Sequence, residues 1–258
     1  RPAVSHYRIE KKFRAPTLTL GYLRDLNNIA GSPLPPINFG PYDSAGLLTL
    51  EIEDAFSVGY NFGLLWDATP WLSLGFVYHS EATADLSGDF RMENSDLFLE
   101  TVSGLKEDPL VSGLVIALGG ARLNAQRVEA GQVKMEYTVP QNFALGASVK
   151  VMPDVKVNVD VKWADYSRWD DLTFYFDKNV DFLSFGTAIS RAAGYNLTTA
   201  SKMVITREYE DTWSWALGVE YQLDANWVAR AGFEPRTSAI PDDRTDLIFP
   251  ITKADLYT

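Results

Sequence analysis

No cysteine occurs in the 258 residues. That removes disulfide frameworks, thiolate metal sites and cysteine nucleophiles together. Histidine is almost as scarce: only His6 and His79 are present. His79 stands two residues from Glu81, and no Ser–His–acid arrangement can be built around either, so no hydrolase site is expected. No ligand spacing for a metal stands out, and no cofactor is expected. Basic charge is short, with 23 Lys and Arg against 34 Asp and Glu and no basic run, which argues against a nucleic-acid partner. Long hydrophobic runs are missing as well. A membrane-crossing helix needs roughly 20 apolar residues, and the best candidate, Leu110 to Ala121, is shorter and holds Gly119 and Gly120. The chain opens at Arg1 in a polar stretch and stops at Thr258 in an apparent strand, so a longer mature protein is expected.

What the sequence has is alternation. From Leu50 the even positions Leu50, Ile52, Phe56, Val58, Tyr60, Phe62, Leu64 and Trp66 are apolar, against Glu51, Glu53, Ser57 and Asn61 between them. Leu72, Leu74, Phe76, Tyr78, Ala82, Ala84 and Leu86 repeat the pattern. So do the odd positions from Val133 to Val151, from Val155 to Trp163, and from Trp213 to Tyr221. Period two means strands, here longer than the usual 5–6 residues of a soluble sheet. Eight strands are placed near 12–23, 47–66, 71–88, 132–152, 155–176, 203–222, 226–237 and 246–258.

Short turns with Asp, Pro or Asn sit at 67–70, 153–154 and 224–225, and long segments lie at 24–45, 91–131, 178–202 and 239–245. Short turns alternating with long loops are expected of an outer-membrane barrel. The competing fold is a soluble two-sheet sandwich, whose inner faces would also be apolar. Two features favour the barrel. The apolar faces are aromatic near their ends (Tyr60, Trp66, Tyr78, Trp163, Trp213, Trp215, Tyr221, Trp227), and the polar faces are rich in Gly, Ala and Ser. The fold class expected is therefore all-β, a transmembrane antiparallel up-and-down barrel, with residues 1–258 forming one incomplete domain.

Two loops carry helical patterns. In 91–131, Ser95 caps a helix presenting Phe98, Val102 and Leu105, while Asp108-Pro109 starts another with Leu110, Val111, Leu114, Val115 and Leu118. In 178–202, Phe182, Phe185, Ile189, Ala192 and Ala193 form a third stripe. Apolar faces outside a membrane must be covered. They can pack on each other, or form a groove for an apolar ligand, and the same faces can do both.

Three stretches resemble the FadL-type outer-membrane transporters of long-chain fatty acids and hydrocarbons: Val58 to Phe90, Tyr137 to Leu172 and Asp211 to Thr245. The likeness lies in a Gly-aromatic-Asn strand whose returning partner ends in a Gly-acidic-aromatic signature, then a Pro-led strand, then an Ala-Leu-Gly strand with an Asn-Trp turn. The resemblance implies a barrel of about fourteen strands, an N-terminal hatch, ligand capture at outward loops and a sideways exit. No stretch of this sequence matches the hatch signature or the last strands, so both are expected to lie in parts of a longer protein outside it.

It further implies passive uptake of a hydrophobic molecule, first of all a long-chain fatty acid. An aromatic or alkane hydrocarbon is the alternative within the family, and a general diffusion porin the alternative beyond it. The barrel is expected to act as a monomer among outer-membrane lipid and lipopolysaccharide. A greasy tail gains about 0.8 kcal/mol per buried methylene, and the groove candidates are Phe98, Val102, Leu105, Leu110, Leu114, Leu118, Phe182, Phe185 and Ile189. A carboxylate head needs a cation. The candidates are Arg14, Lys162, Arg168, Arg230 and Arg236, each of which has a competing role in an ion pair with Asp85, Asp160, Glu220 or Glu234. Where the family carries a cationic site, near Arg207 to Trp213, this sequence has Glu210, which raises the case for a neutral ligand. Parity assigns Arg207 itself to the lipid side.

Overall fold

A computed structural model describes residues 5–14, 43–54, 56–192, 194, 198–242 and 254–257. Among them are thirteen strands, three α-helices and a short 3-10 helix at Tyr166–Arg168. The strands are β1 (Ser5–Arg14), β2 (Ser44–Asp54), β3 (Asn61–Thr69), β4 (Leu72–His79), β5 (Ala82–Asn94), β6 (Val128–Val139) and β7 (Asn142–Met152). They continue as β8 (Val155–Ala164), β9 (Asp171–Phe176), β10 (Lys202–Thr206), β11 (Thr212–Gln222), β12 (Val228–Arg236) and β13 (Ala254–Tyr257). The helices are α1 (Asp96–Glu107), α2 (Pro109–Ala117) and α3 (Asp181–Ala192). No helix among the described residues is long and apolar enough to cross a membrane, which says nothing about crossing by strands.

The strands form two sheets, of order β1-β2-β5-β6-β9-β10 and β13-β12-β11-β8-β7-β4-β3, and all their registered pairs are antiparallel. The chain divides accordingly into two compact units. One comprises Arg1–Phe56, Asp85–Glu136 and Thr173–Ile205, and the other Ser57–Ala84, Tyr137–Leu172 and Thr206–Thr258.

Each long run read from the sequence becomes two strands, one in each sheet. The 71–88 run is β4 and β5, parted at Ser80-Glu81, and the 132–152 run is β6 and β7, parted at Pro140-Gln141. Pro140 has no N–H to give a ladder. The runs 47–66, 155–176 and 203–222 also divide between the two sheets, with the described residues 56–60, 165–170 and 207–211 lying between their strands. A two-residue break preserves parity, so the alternation continues across it and hides it. Of the first expected strand, 12–23, residues 12–14 belong to β1 and 15–23 lie outside the described residues.

In the seven-stranded sheet, register lines up the faces. One row reads Trp66–Leu74–Ala147–Val159–Leu217–Phe233 across six strands. The neighbouring row, on the other face, reads Asp67–Ser73–Ser148–Asn158–Gly218–Gly232. One edge of the apolar face is an aromatic row, Phe62–Tyr78–Phe143–Trp163–Trp213, with Phe143 and Trp163 ring centroids 5.4 Å apart. Near the short turns at the opposite edge stand Trp71, Tyr221 and Trp227, all exposed. From Trp213 to Tyr221 the strand runs about 27 Å at roughly 3.4 Å per residue, which at a tilt of about 35–45° covers roughly 19–22 Å, most of the ~25 Å apolar band of outer-membrane barrels.

The six-stranded sheet treats the same parity oppositely. Its apolar positions are buried, as in Leu50 and Ile52 of β2, Phe90 and Met92 of β5, and Val133 of β6, while Glu51, Glu53, Asp89 and Glu93 are exposed. Phe90 and Phe176 meet edge-on at 4.9 Å although β6 lies between their strands. Gly131 of β6 makes room, since a Cβ there would stand 2.9 Å from the Phe90 ring. An apolar face in water must be covered, whereas one in hydrocarbon need not be. Burial thus assigns the lipid-facing band to the seven-stranded sheet.

Candidate functional site

The helical loops form as their caps dictate. The Ser95 hydroxyl accepts from the Phe98 amide at 3.2 Å, and Asp108 accepts from the amides of Leu110 and Val111 at 2.9 and 3.2 Å. Phe98, Val102 and Leu105 of α1 are enclosed in a core with Val111, Leu123 and Ala45. Phe182 and Phe185 of α3 are half-buried against that core, each ring 6.3 Å from Phe98. Leu118 and Ile189 are also half-buried. The exposed apolar surface belongs to α2, where Leu110 is 71 % and Leu114 52 % accessible, joined by Ile116, which the helical stripe did not single out. Of the nine groove candidates, then, three are interior, four are half-buried and two lie open.

The buried face of α3 differs from the stripe expected. It is made of Asp181, Leu183, Ser184, Thr187 and Ala188. Ser184 returns its hydroxyl to the Val180 carbonyl at 2.9 Å, which lets a polar residue sit inside. A stripe counted on apolar residues alone misses such a face. Ala193 lies outside the described residues.

A polar latch ties the two loops together. The Asp181 carboxylate accepts from the amides of Asn124 and Ala125 at 2.8 and 2.7 Å. Glu129 accepts from the Asp181 amide at 2.9 Å and from the Asn94 side chain at 3.1 Å, and Asn94 also donates to the Gln126 carbonyl. Ala125 holds a left-handed backbone, φ 58°, to present its amide. Burial pushes the Glu129 carboxyl above its ordinary range, against the opposing effect of the Asp181 amide.

The described cation candidates all meet carboxylates. Lys162, Arg230 and Arg236 do so on the polar face of the seven-stranded sheet. Arg168 lies instead in the connection between β8 and β9, where the strand parity expected of it does not apply. Lys162 and Arg236 both reach Glu234, at 3.2 and 3.1 Å. Arg230 lies 2.7 Å from Glu220, and Arg168 lies 2.9 Å from Glu81 and 3.5 Å from Asp165. Hydrogen bonds from Gln141 and Ser167, with Arg168 beside them, hold the Asp165 carboxyl below its ordinary range despite desolvation. Arg14 closes β1, and its side chain lies outside the described residues. Arg207 is not on a lipid face: it is 6 % accessible in the connection between β10 and β11, where strand parity does not apply.

Two depressions adjoin this face. One of about 280 Å³ is lined by Lys162, Ser214, Glu234 and Arg236 among others. The next, about 380 Å³, shares Arg236 and is walled by Tyr166, Trp169, Tyr209, Trp213 and Ile240. Trp169 is fixed there by Tyr166 and Tyr209, with ring centroids at 5.5 and 5.8 Å. The arrangement is polar at one end and aromatic at the other.

The family model described as outer membrane protein transport protein (OMPP1/FadL/TodX) matches residues 8–258. A long-chain fatty acid transport protein of Escherichia coli O6:H1 (strain CFT073) is 20 % identical over 197 residues, which are 76 % of this chain and 36 % of that protein. The crystal structure of a Pseudomonas aeruginosa FadL homologue superposes with a TM-score of 0.55 at 17 % identity, covering 94 % of this chain and 45 % of that one. The chain thus spans less than half the length of either relative.

Proposed function

Because the chain belongs to the OMPP1/FadL/TodX family of outer-membrane transport proteins, we propose that the whole protein carries small hydrophobic molecules inward across the outer membrane without an energy source. A long-chain fatty acid is the first ligand to consider. The observation that carries the reading is the open apolar face of α2, Leu110, Leu114 and Ile116, on a helix without a single charged residue. Exposed apolar surface of this kind marks an interaction site. The helical core beneath it keeps the face presented, and the aromatic depression beside Arg236 offers a second apolar surface at the Trp213 end of the seven-stranded sheet.

A neutral aromatic or alkane hydrocarbon is the second reading. It is favoured by the ion pairs that already occupy Lys162, Arg168, Arg230 and Arg236, and by Glu210 in the segment where the family has a cation. Calorimetry on full-length, detergent-solubilised protein with a panel of fatty acids and neutral hydrocarbons separates the two. Saturable binding of one class is expected, and binding of neither sinks the proposal. Liposome swelling in sugars is expected to stay at the protein-free rate, and rapid swelling would point instead to a diffusion porin.

A further inference from the structure

The candidate cations meet carboxylates, but the loop helices hold a cation that does not. Arg191 stands in the last turn of α3. No carboxylate lies within salt-bridge distance of it among the described residues. Its Nε is buried without a hydrogen-bond partner, and so is the Thr187 hydroxyl. Thr187 is 1 % accessible and lies one turn before Arg191, so the two donors share a face of the helix. Native structures leave few buried polar groups unpaired, because each one is costly. Two of them four residues apart point to an acceptor that the described residues do not supply.

The place is built for the arginine. Gly119 follows α2 with φ 80°, a left-handed backbone that favours glycine. A Cβ there would also overlap the Arg191 guanidinium. Gly120 completes the approach, since its Cβ would come within 2.6 Å of the Ser184 carbonyl and 2.8 Å of Val115. The two glycines thus let the end of α2 dock on α3, with the guanidinium lying against the joint. A cation beside a helix C-terminus gains from the dipole, which accounts for the charge but supplies no acceptor. The carbonyls of Leu114, Val115 and Ile116 are already taken by the amides of Leu118, Gly120 and Gly119.

An apolar track on α2 leads to the same point. Leu110, Leu114 and Leu118 recur every four residues on one stripe, the first two open and the third half-buried. The stripe runs about 12 Å at 1.5 Å per residue, and the next residue is Gly119, against which the guanidinium lies.

We propose that Arg191 and Thr187 hold the carboxylate of an acidic amphiphile whose tail lies along Leu110, Leu114 and Leu118. The guanidinium presents a fork of donors to the two carboxylate oxygens, and the hydroxyl donates a third hydrogen bond. Acids are then told from neutral hydrocarbons at the loop helices. The inference rests on the uptake reading above and selects acids within it.

Calorimetry on the full-length protein in detergent tests it with oleate and with oleyl alcohol, which share a tail and differ in head group. Arg191→Gln is expected to bind oleate about tenfold more weakly, about 1.4 kcal/mol, with oleyl alcohol unchanged. Thr187→Val keeps the shape and loses the donor, and should weaken oleate alone by about threefold. If Arg191→Gln loosens the loops, seen as faster proteolysis between 95 and 127, Thr187→Val decides by the same comparison. Oleate binding unaffected by the substitutions, or equal loss of both ligands by a protein with unchanged proteolysis, would overturn the assignment. If the unaltered protein binds neither ligand, the uptake reading itself fails.

Discussion

At the scale of single residues the most consequential group is Glu129. Its carboxyl is raised by burial, so the closed latch holds the proton to higher pH than an opened segment does. A group raised in this way stabilises fully at pH below the ordinary carboxylate range, and its contribution fades as pH rises through the raised value. Amide exchange at Asn124 and Ala125, the two donors to Asp181, should therefore accelerate across that window beyond the intrinsic pH effect. Glu129→Gln should remove the excess. Protection with no such pH trend in the unaltered protein would contradict the latch. Glu234 gives a second test, because it serves two cations at once. Exposed ion pairs contribute little to stability, so Glu234→Gln should leave unfolding nearly unchanged while strengthening oleate binding several-fold over oleyl alcohol. Equal gains for both ligands would mean that charge plays no part there.

At the scale of elements, α1 and α2 divide the labour that the sequence assigned jointly to both. Phe98 lies in the loop core and Leu110 lies on its surface. Phe98→Ala should cost about 3–5 kcal/mol of loop stability, seen as faster proteolysis between 95 and 127. Leu110→Ser with Leu114→Ser should leave proteolysis unchanged and weaken binding of both ligand types. The caps at Ser95 and Asp108 were legible in the sequence because they depend on neighbours three residues away. The buried face of α3 was not, since Ser184 and Thr187 become core residues only through the partners that surround them. The strand breaks were hidden for a simpler reason: Ser80-Glu81 and Pro140-Gln141 are two residues long and leave the alternation in phase.

At the scale of the whole molecule, alternation gave both faces of the seven-stranded sheet correctly from Phe62 to Tyr221, and register confirms them row by row. It could not tell which stretch of a run meets lipid. Burial does so, because the same parity is open at Phe62 and closed at Ile52. Lys162, Arg230 and Arg236 were legible as to face, but their engagement depends on distances between strands far apart in sequence. The band can be tested by charge. Val159→Arg, in its middle, should destabilise the barrel in lipid by about 2–4 kcal/mol, whereas Asn158→Arg on the opposite face should change it by less than about 1 kcal/mol. Urea titration in lipid vesicles measures both, and equal penalties would place both faces in one environment.

Inward passage of a hydrophobic molecule through an outer-membrane barrel, as proposed above, is a transport rate, and vesicle uptake measures it. Full-length protein in liposomes containing albumin as a trap should admit oleate saturably, faster than protein-free liposomes and without any energy source, while sugars stay outside. Oleate entry no faster than in protein-free liposomes, together with free entry of sugars, would contradict it.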